Sequence, residues 1–181
     1  WEFKMHPGIK FTNGEPCDAN AAAFSINRII DEKYNSEIRS NFETIEKATA
    51  VDALTVRVVT KGPDPILPAR MNMLPIVAPK YATEDPKGFG LKPIGTGPYV
   101  FVEWVRGTRI TLKANPDYWG PKPQVTDVTI LPRQEPSIRL SALKAGEVDL
   151  IRDLLPEQIN QAPKYATVHP GLQYGFVRIN T

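Results

Sequence analysis

Prolines set the first limit on what this chain can fold into. There are 18 among 181 residues, roughly twice the usual share of about 5%. Each one removes a backbone donor and fixes φ, so neither a long helix nor an unbroken strand can run through it. They lie singly between patterned stretches, which implies many short elements joined by stiff turns and not a low-complexity tract. The 41% hydrophobic and 23% charged content is that of an ordinary globular chain, long enough for one domain or two small ones.

Between the prolines the hydrophobic period is readable. Trp1, Phe3 and Met5 alternate with Glu2, Lys4 and His6, the pattern of a half-buried strand. A natural chain rarely opens in mid-strand on Trp, so a piece of something longer is expected, with any export signal lost upstream. Asp18 stands as an N-cap before Ala19, Ala22, Ala23, Ile26 and Ile30, which predicts an amphipathic helix over 18–31 with Asn20, Asn27, Arg28 and Asp31 on its polar face. Segments 44–50 and 54–60 read as strands. Prolines 63, 65 and 68 then interrupt the pattern before RMNMLPIVAP, a short helix or turn leading into a short extended piece. Met71 and Met73 in it are either core filler or an adaptable ligand surface.

YVFVEWV and RITLKAN pair as a hairpin around Gly107, and VTDVTILP adds a strand. EPSIRLSALKAG makes a helix with Pro136 in its first turn and Gly146 just past its end. EVDLI is expected as a short strand, LPEQINQA as a helical turn and LQYGFVRIN as a closing strand. Such alternation favours an α/β sheet layered with helices, with a boundary near residue 80 where the denser prolines end.

Several function classes are disfavoured. Lys plus Arg is 22 and Asp plus Glu is 20, a balance that opposes a nucleic-acid module or an anionic-membrane partner. No apolar run reaches the ~18 residues of a membrane span. Cys17 is the sole cysteine, so no intrachain disulfide forms, and its thiol is expected to be a buried apolar group. His6, Cys17 and His169 lack the spacing that gathers donors onto one metal ion. G-x-S-x-G is absent. Glu147 and Asp149, after Gly146, leave open a carboxylate-based hydrolase.

KPIGTGPYVF, residues 92–101, poses the sharpest local choice. A phosphate loop needs Lys and Ser or Thr after its second glycine and a helix behind it, whereas Thr96 and Gly97 follow Gly95 and the next element is a strand. As a corner the residues make sense: Gly95 or Gly97 can take a positive φ and Pro98 leads into the strand. In the closing strand Tyr174, Phe176, Arg178 and Asn180 share a face by period two. That face suits either a cleft wall that stacks on organic groups and pairs with a carboxylate, or an edge covered by further chain. Trp1, Trp104, Trp119 and Tyr118 share no face and are expected to be packing residues.

Three stretches together resemble one family. GIKFTNGEPCDANAAAFSINRI is similar to the G-V-K-F-H-D-G-x-P segment and following helix of the peptide and nickel branch of solute-binding proteins for ABC importers. PIGTGPYVFVEWVRGTRITLKANPDYWGPKP resembles its P-x-G-T-G-P-Y…W…N-x-x-Y-W-G pattern, and RLSALKAGEVDLI its R-x-x-A-L-x-x-G-E-x-D segment, with FVRINT like its strand ending in an N-T pair. The resemblance runs from residue 3 to the C-terminus. Asn13, Cys17 and Asn20-Ala21-Ala22 depart from the usual residues at their positions.

The resemblance implies a non-enzymatic protein without cofactor: two lobes closing about a hinge on a small solute, most often a short peptide, handed to ABC permease subunits. It implies a periplasmic or lipid-anchored extracytoplasmic place in a bacterium or archaeon. Nickel chelates, haem, opines and oligosaccharides stay open as solutes. The fold implied is α/β, a periplasmic-binding-protein-like lobe with a mixed sheet and flanking helices, plus part of an extra α+β subdomain. Residues 1–80 fall to that subdomain and 81–181 to the main sheet up to the first hinge strand. Lobe two, with the acidic residue that holds a peptide's amino group, and the remainder of the chain would lie elsewhere. Tyr34, Asn72, Tyr174, Phe176 and Arg178 are the ligand-facing residues implied, and the GTGPY corner is scaffold.

Overall fold

The computed structural model describes residues 1–162; the stretch from 163 to 181, with Tyr174, Phe176, Arg178 and the expected closing strand, lies outside the described residues. The chain forms two compact units, Trp1–Leu131 and Pro132–Thr181.

The first unit opens on β1 (Glu2–Lys4), α1 (Ala19–Ile30), β2 (Ile45–Ala50) and β3 (Thr55–Thr60). The three strands pair antiparallel in the order β1-β3-β2, with Phe3 opposite Val56. The Asp18 cap forms as its chemistry dictates: Oδ1 accepts from the amides of Asn20 and Ala21 at 2.9 and 3.0 Å, worth about 1 kcal/mol. Alanines on the inner face of α1 let its backbone approach the sheet closely. Ala19, Ala22, Ala23, Ile26 and Ile29 are buried against Ile45, Ala48, Val56 and Val58, and Phe42, Leu67 and Leu74 complete this core. Each large apolar side chain so buried contributes about 1.5–3 kcal/mol.

The proline-dense stretch contains α2 (Leu67–Arg70), α3 (Pro79–Glu84) and α4 (Pro86–Leu91), each with proline in its first turn. There the missing N–H costs nothing and the fixed φ is already helical. Two of these helices, α3 and α4, escape a periodicity reading because six residues hold fewer than two turns. Glu15 fixes α3 from a distance, accepting from the amides of Lys80 and Tyr81 at 2.9 and 3.2 Å.

A second antiparallel sheet follows as a meander: β4 (Tyr99–Val105), β5 (Arg109–Ala114) and β6 (Asp127–Ile130). Its first turn uses Gly107 at φ 71°, a conformation that side chains disfavour. The hairpin around Gly107 and the strand after it thus form as their patterns predict.

In the second unit α5 (Pro136–Lys144) and α6 (Pro156–Ile159) lie where their patterns put them. The expected EVDLI strand does not form. No described strand pairs with it, and Leu150 is 80% exposed. A strand without a ladder leaves its backbone groups to water, so the segment stays irregular.

Candidate functional site

The corner at 92–101 is held through its carbonyls. The Thr12 amide donates to the Gly95 carbonyl at 3.0 Å, and the Asn115 amide to that of Pro98 at 2.8 Å. Asn115 Nδ2 donates to the Gly97 carbonyl at 2.9 Å, while its Oδ1 accepts from the Asp117 amide at 3.0 Å. One buried asparagine thus ties the G-T-G-P corner to the N-P-D-Y-W-G turn. The corner opens a strand and not a helix, so it lacks the helix N-terminus on which a phosphate loop relies. The positive φ expected at Gly95 or Gly97 is not found: among the described residues the left-handed glycines are Gly8, Gly14, Gly107 and Gly146. Hydrogen bonds to its carbonyls, and Pro98, hold the bend instead.

Cys17 is buried with Phe11, Ala21 and Ala78. Burial, and then the neighbouring charge of Asp18, push its thiol above the usual cysteine range. It is a packing group, as expected, and its surroundings disfavour the reactive thiolate.

The tryptophans depart from expectation. Trp1, Trp104 and Trp119 are 49%, 44% and 53% exposed. Trp104 lies 5.2 Å beneath the Arg106 guanidinium, and Trp119 meets His6 at 5.4 Å and Tyr118 at 5.5 Å. Trp1 and Trp119 lie outside the strands and Trp104 near the end of an edge strand, where fewer neighbours can cover an indole.

Tyr34 closes a short 3-10 turn, Glu32–Tyr34, directly after α1. Its ring lies 4.7 Å from the Arg28 guanidinium, which stands 5.0 Å from the Phe89 ring on α4. Phe89 in turn meets Tyr81 edge-on at 6.2 Å, and the Tyr81 hydroxyl donates to the Lys92 carbonyl at 3.1 Å. Helix α1, the turn after it, α3 and α4 therefore build one aromatic and cationic cluster on the surface. Neither Arg28 nor Phe89 stands out in the sequence, because their meeting depends on how α4 returns to α1. Asn72 lies in the Met71–Met73 turn, exposed beside exposed Met73. No hydrogen bond among the described residues links it to Tyr34 or to the cluster. Met71 packs on the main core, so of the two methionines one is filler and one is surface.

In the second unit Arg133, Ser137, Ile138, Ser141 and Glu147 are among the residues that line an open groove of about 350 Å³ along α5. Arg133 pairs with Glu147 at 3.0 Å. Arg139 donates to the carbonyls of Arg133, Gln134, Arg152 and Asp153 at 2.9, 2.6, 3.1 and 3.0 Å. The motif arginine is thereby a clamp on backbone. Glu147, left open as a hydrolytic carboxylate, is engaged by a cation, and among the described residues it has no hydrogen bond to Ser137, Ser141 or Asp149. Among the described residues no three His, Cys, Asp or Glu side chains converge to hold a metal ion.

Comparison with known proteins bears directly on these motifs. The chain is 34% identical over 150 residues to protein XP55 of Streptomyces lividans, a match covering 81% of this chain and 27% of that one. It is 28% identical to the glutathione-binding protein GsiB of Pectobacterium atrosepticum, covering 98% of this chain and 36% of that one. Among solved structures, the periplasmic binding protein DppA of Helicobacter pylori, bound to the peptide STSA, superposes with a TM-score of 0.75 at 26% identity over 90% of this chain and 36% of that one. The chain spans about a third of the length of the curated relatives it matches. The fold is that of the periplasmic binding proteins, and nothing in these relatives supports the hydrolase reading. Residues 1–181 match the family described as bacterial extracellular solute-binding proteins, family 5 Middle, and the chain belongs to that family.

Proposed function

We propose that this chain is part of the solute-capturing component of an ABC importer, working outside the cytoplasmic membrane and delivering short peptides to permease subunits. The single observation that supports it most is the family match along all 181 residues. Two of the named relatives, GsiB and DppA, are binding proteins, and glutathione, bound by the first, is itself a small peptide. No described helix is long and apolar enough to cross a membrane. Periplasmic residence and lipid anchoring are both consistent with the family's extracellular description.

In this reading residues 1–80 belong to the extra subdomain of lobe one, residues 81–181 to its main sheet, and lobe two supplies the facing wall. What supports this reading is that two separate three-stranded sheets, one ending at Thr60 and one beginning at Tyr99, lie on either side of residue 80, although within one compact unit, Trp1–Leu131. Tyr34, Asn72, Tyr174, Phe176 and Arg178 are proposed to face the solute. Peptide affinity in such a cleft rests partly on backbone groups, which tolerate many side chains, so nickel chelates and opines are the competing solutes.

Thermal unfolding of the whole polypeptide, with lobe two, tests this. A peptide at ~100 times its dissociation constant adds about 2.7 kcal/mol of apparent stability. Stabilisation by a nickel chelate and by no peptide would replace the peptide reading, and turnover of any compound would replace the binding reading.

A further inference from the structure

We propose that Arg28, held between Tyr34 and Phe89, is a receptor for the carboxylate of a small organic acid. The inference rests on the solute-binding reading and assigns a ligand group to a named residue within it. The guanidinium carbon stands 4.7 Å from the centre of one ring and 5.0 Å from the other, and the rings come from the turn after α1 and from α4. Neither ring offers the in-plane oxygen acceptors that a guanidinium fork matches, so two aromatic contacts leave Arg28 its N–H donors for a carboxylate.

The other arginines make the contrast. Arg39, Arg57, Arg70, Arg109 and Arg133 each pair with a carboxylate. Arg139 is consumed by four backbone carbonyls. Arg28 donates no hydrogen bond to any described residue, and its guanidinium is not sealed from water. Arg106 and Arg152 also donate no side-chain hydrogen bond among the described residues, but Arg106 has one ring against it and Arg152 none, whereas Arg28 alone among the described arginines has two.

The acids nearest in sequence are already committed. Asp31 Oδ1 accepts the Lys33 amide at 2.9 Å, Glu32 pairs with Arg39 at 2.7 Å, and Asp85 Oδ1 accepts the Gly88 amide at 2.8 Å at the head of the helix that carries Phe89. A charge fixed in place by two rings, with its donors open and its neighbours' carboxylates occupied, is arranged for an acceptor from outside. Holding the side chain in advance removes much of the ordering cost that a free surface arginine meets on binding. Tyr34, 53% exposed, keeps surface on which the rest of the acid can rest.

The test is arginine Nε–Hε NMR on the whole polypeptide, titrated with N-acetylglycine at constant ionic strength. The Arg28 signal is expected to shift to saturation, with N-acetylglycinamide and chloride leaving it in place. Tyr34→Ala and Phe89→Ala should each weaken the half-saturation point about tenfold, the loss of preorganisation being comparable to one charge-assisted hydrogen bond. Arg28→Lys, which keeps charge and fold but not the fork, should weaken it as much. An unmoved Arg28 signal, an equal response to the amide, or titrations unchanged in the ring variants overturns the receptor and leaves Arg28 a structural pillar. If Arg28 fails while peptides still stabilise the whole polypeptide, the solute-binding reading survives without it. If Arg28 titrates while no solute stabilises the whole polypeptide, that reading falls and the carboxylate site stands.

Discussion

The side-chain amide of Asn27 closes both hydrogen bonds with the backbone of Ala48: Nδ2 donates to the carbonyl at 2.8 Å and the Ala48 amide donates to Oδ1 at 2.9 Å. Ala48 lies on β2, an edge of its sheet, so a helix side chain here does what a neighbouring strand would do. An unpaired edge is also a template for association with another chain, and covering it removes that hazard. Asn27→Ala should cost about 1–3 kcal/mol, since both backbone groups lose their partner. A fall in the urea midpoint with unchanged slope is the expected reading. A variant as stable as the parent would mean that water replaces the amide without loss.

Much of the fold can be read from local chemistry, and Asn27 marks where such reading ends. Asp18, the helix after it, the strand at 44–50 and the valine-rich one at 54–60, the hairpin at Gly107 and the Pro136 to Gly146 helix each declare themselves within about a dozen residues, by caps and periods that need no distant partner. Asn27 sits on the polar face of α1, and nothing near it in sequence says that the face meets an edge strand 21 residues on. EVDLI fails for the complementary reason: its pattern suits a strand, but pairing requires a neighbour that the pattern cannot supply. The same holds for the surface cluster. Tyr34 was reached through family resemblance, whereas Arg28 and Phe89 join it only because α4 folds back.

Acid sensitivity should centre on Asp64 and Asp52. The Thr44 hydroxyl, donating at 2.6 Å, and then the Arg70 charge hold the Asp64 carboxyl below the usual range, against the opposing effect of its burial. Hydrogen bonds from the Thr55 hydroxyl and the Leu54 amide do the same for Asp52, with Lys4 adding to them. Both groups bind protons more weakly folded than unfolded. Their stabilisation is therefore present above the unfolded value of about 3.9 and is lost as pH falls through the lower folded values. Melting temperature should be nearly level from pH 7 to 5 as far as these groups decide it and drop below about pH 4. Asp64→Asn should lower stability near neutrality and flatten that drop. An equally steep acid limb in the variant would remove Asp64 from the account.

Gly120 follows Tyr118 and Trp119 in the turn that Asn115 organises. A Cβ built on Gly120 would stand 2.8 Å from Tyr118 Cε1 and 2.9 Å from Cζ, closer than carbon atoms pack. Gly120→Ala must push the ring aside, with an expected cost of about 1–3 kcal/mol. In a Tyr118→Ala background the penalty should largely vanish, which a double-mutant cycle measures directly. Equal penalties in both backgrounds would place the glycine's role in its backbone and not in the ring above it.

Arg139 gives the sharpest case of a motif residue whose work is mechanical. Its guanidinium spans the carbonyls of Arg133 and Gln134 before α5 and those of Arg152 and Asp153 after it. Asp153 itself holds φ 57°, a left-handed conformation that costs a residue with a side chain unless something fixes it. Lysine has one nitrogen where this geometry uses three, so Arg139→Lys should release the 150–155 segment although charge is kept. Amide exchange there is expected to rise about tenfold or more, the equivalent of about 1.4 kcal/mol of lost local protection. Helix α1, in the other compact unit, should be unaffected. Asp153→Gly added to Arg139→Lys should recover part of the stability, because glycine takes the left-handed conformation without strain. If exchange in 150–155 is the same in Arg139→Lys as in the parent, the four carbonyl contacts carry no weight and the segment is held by its own turn.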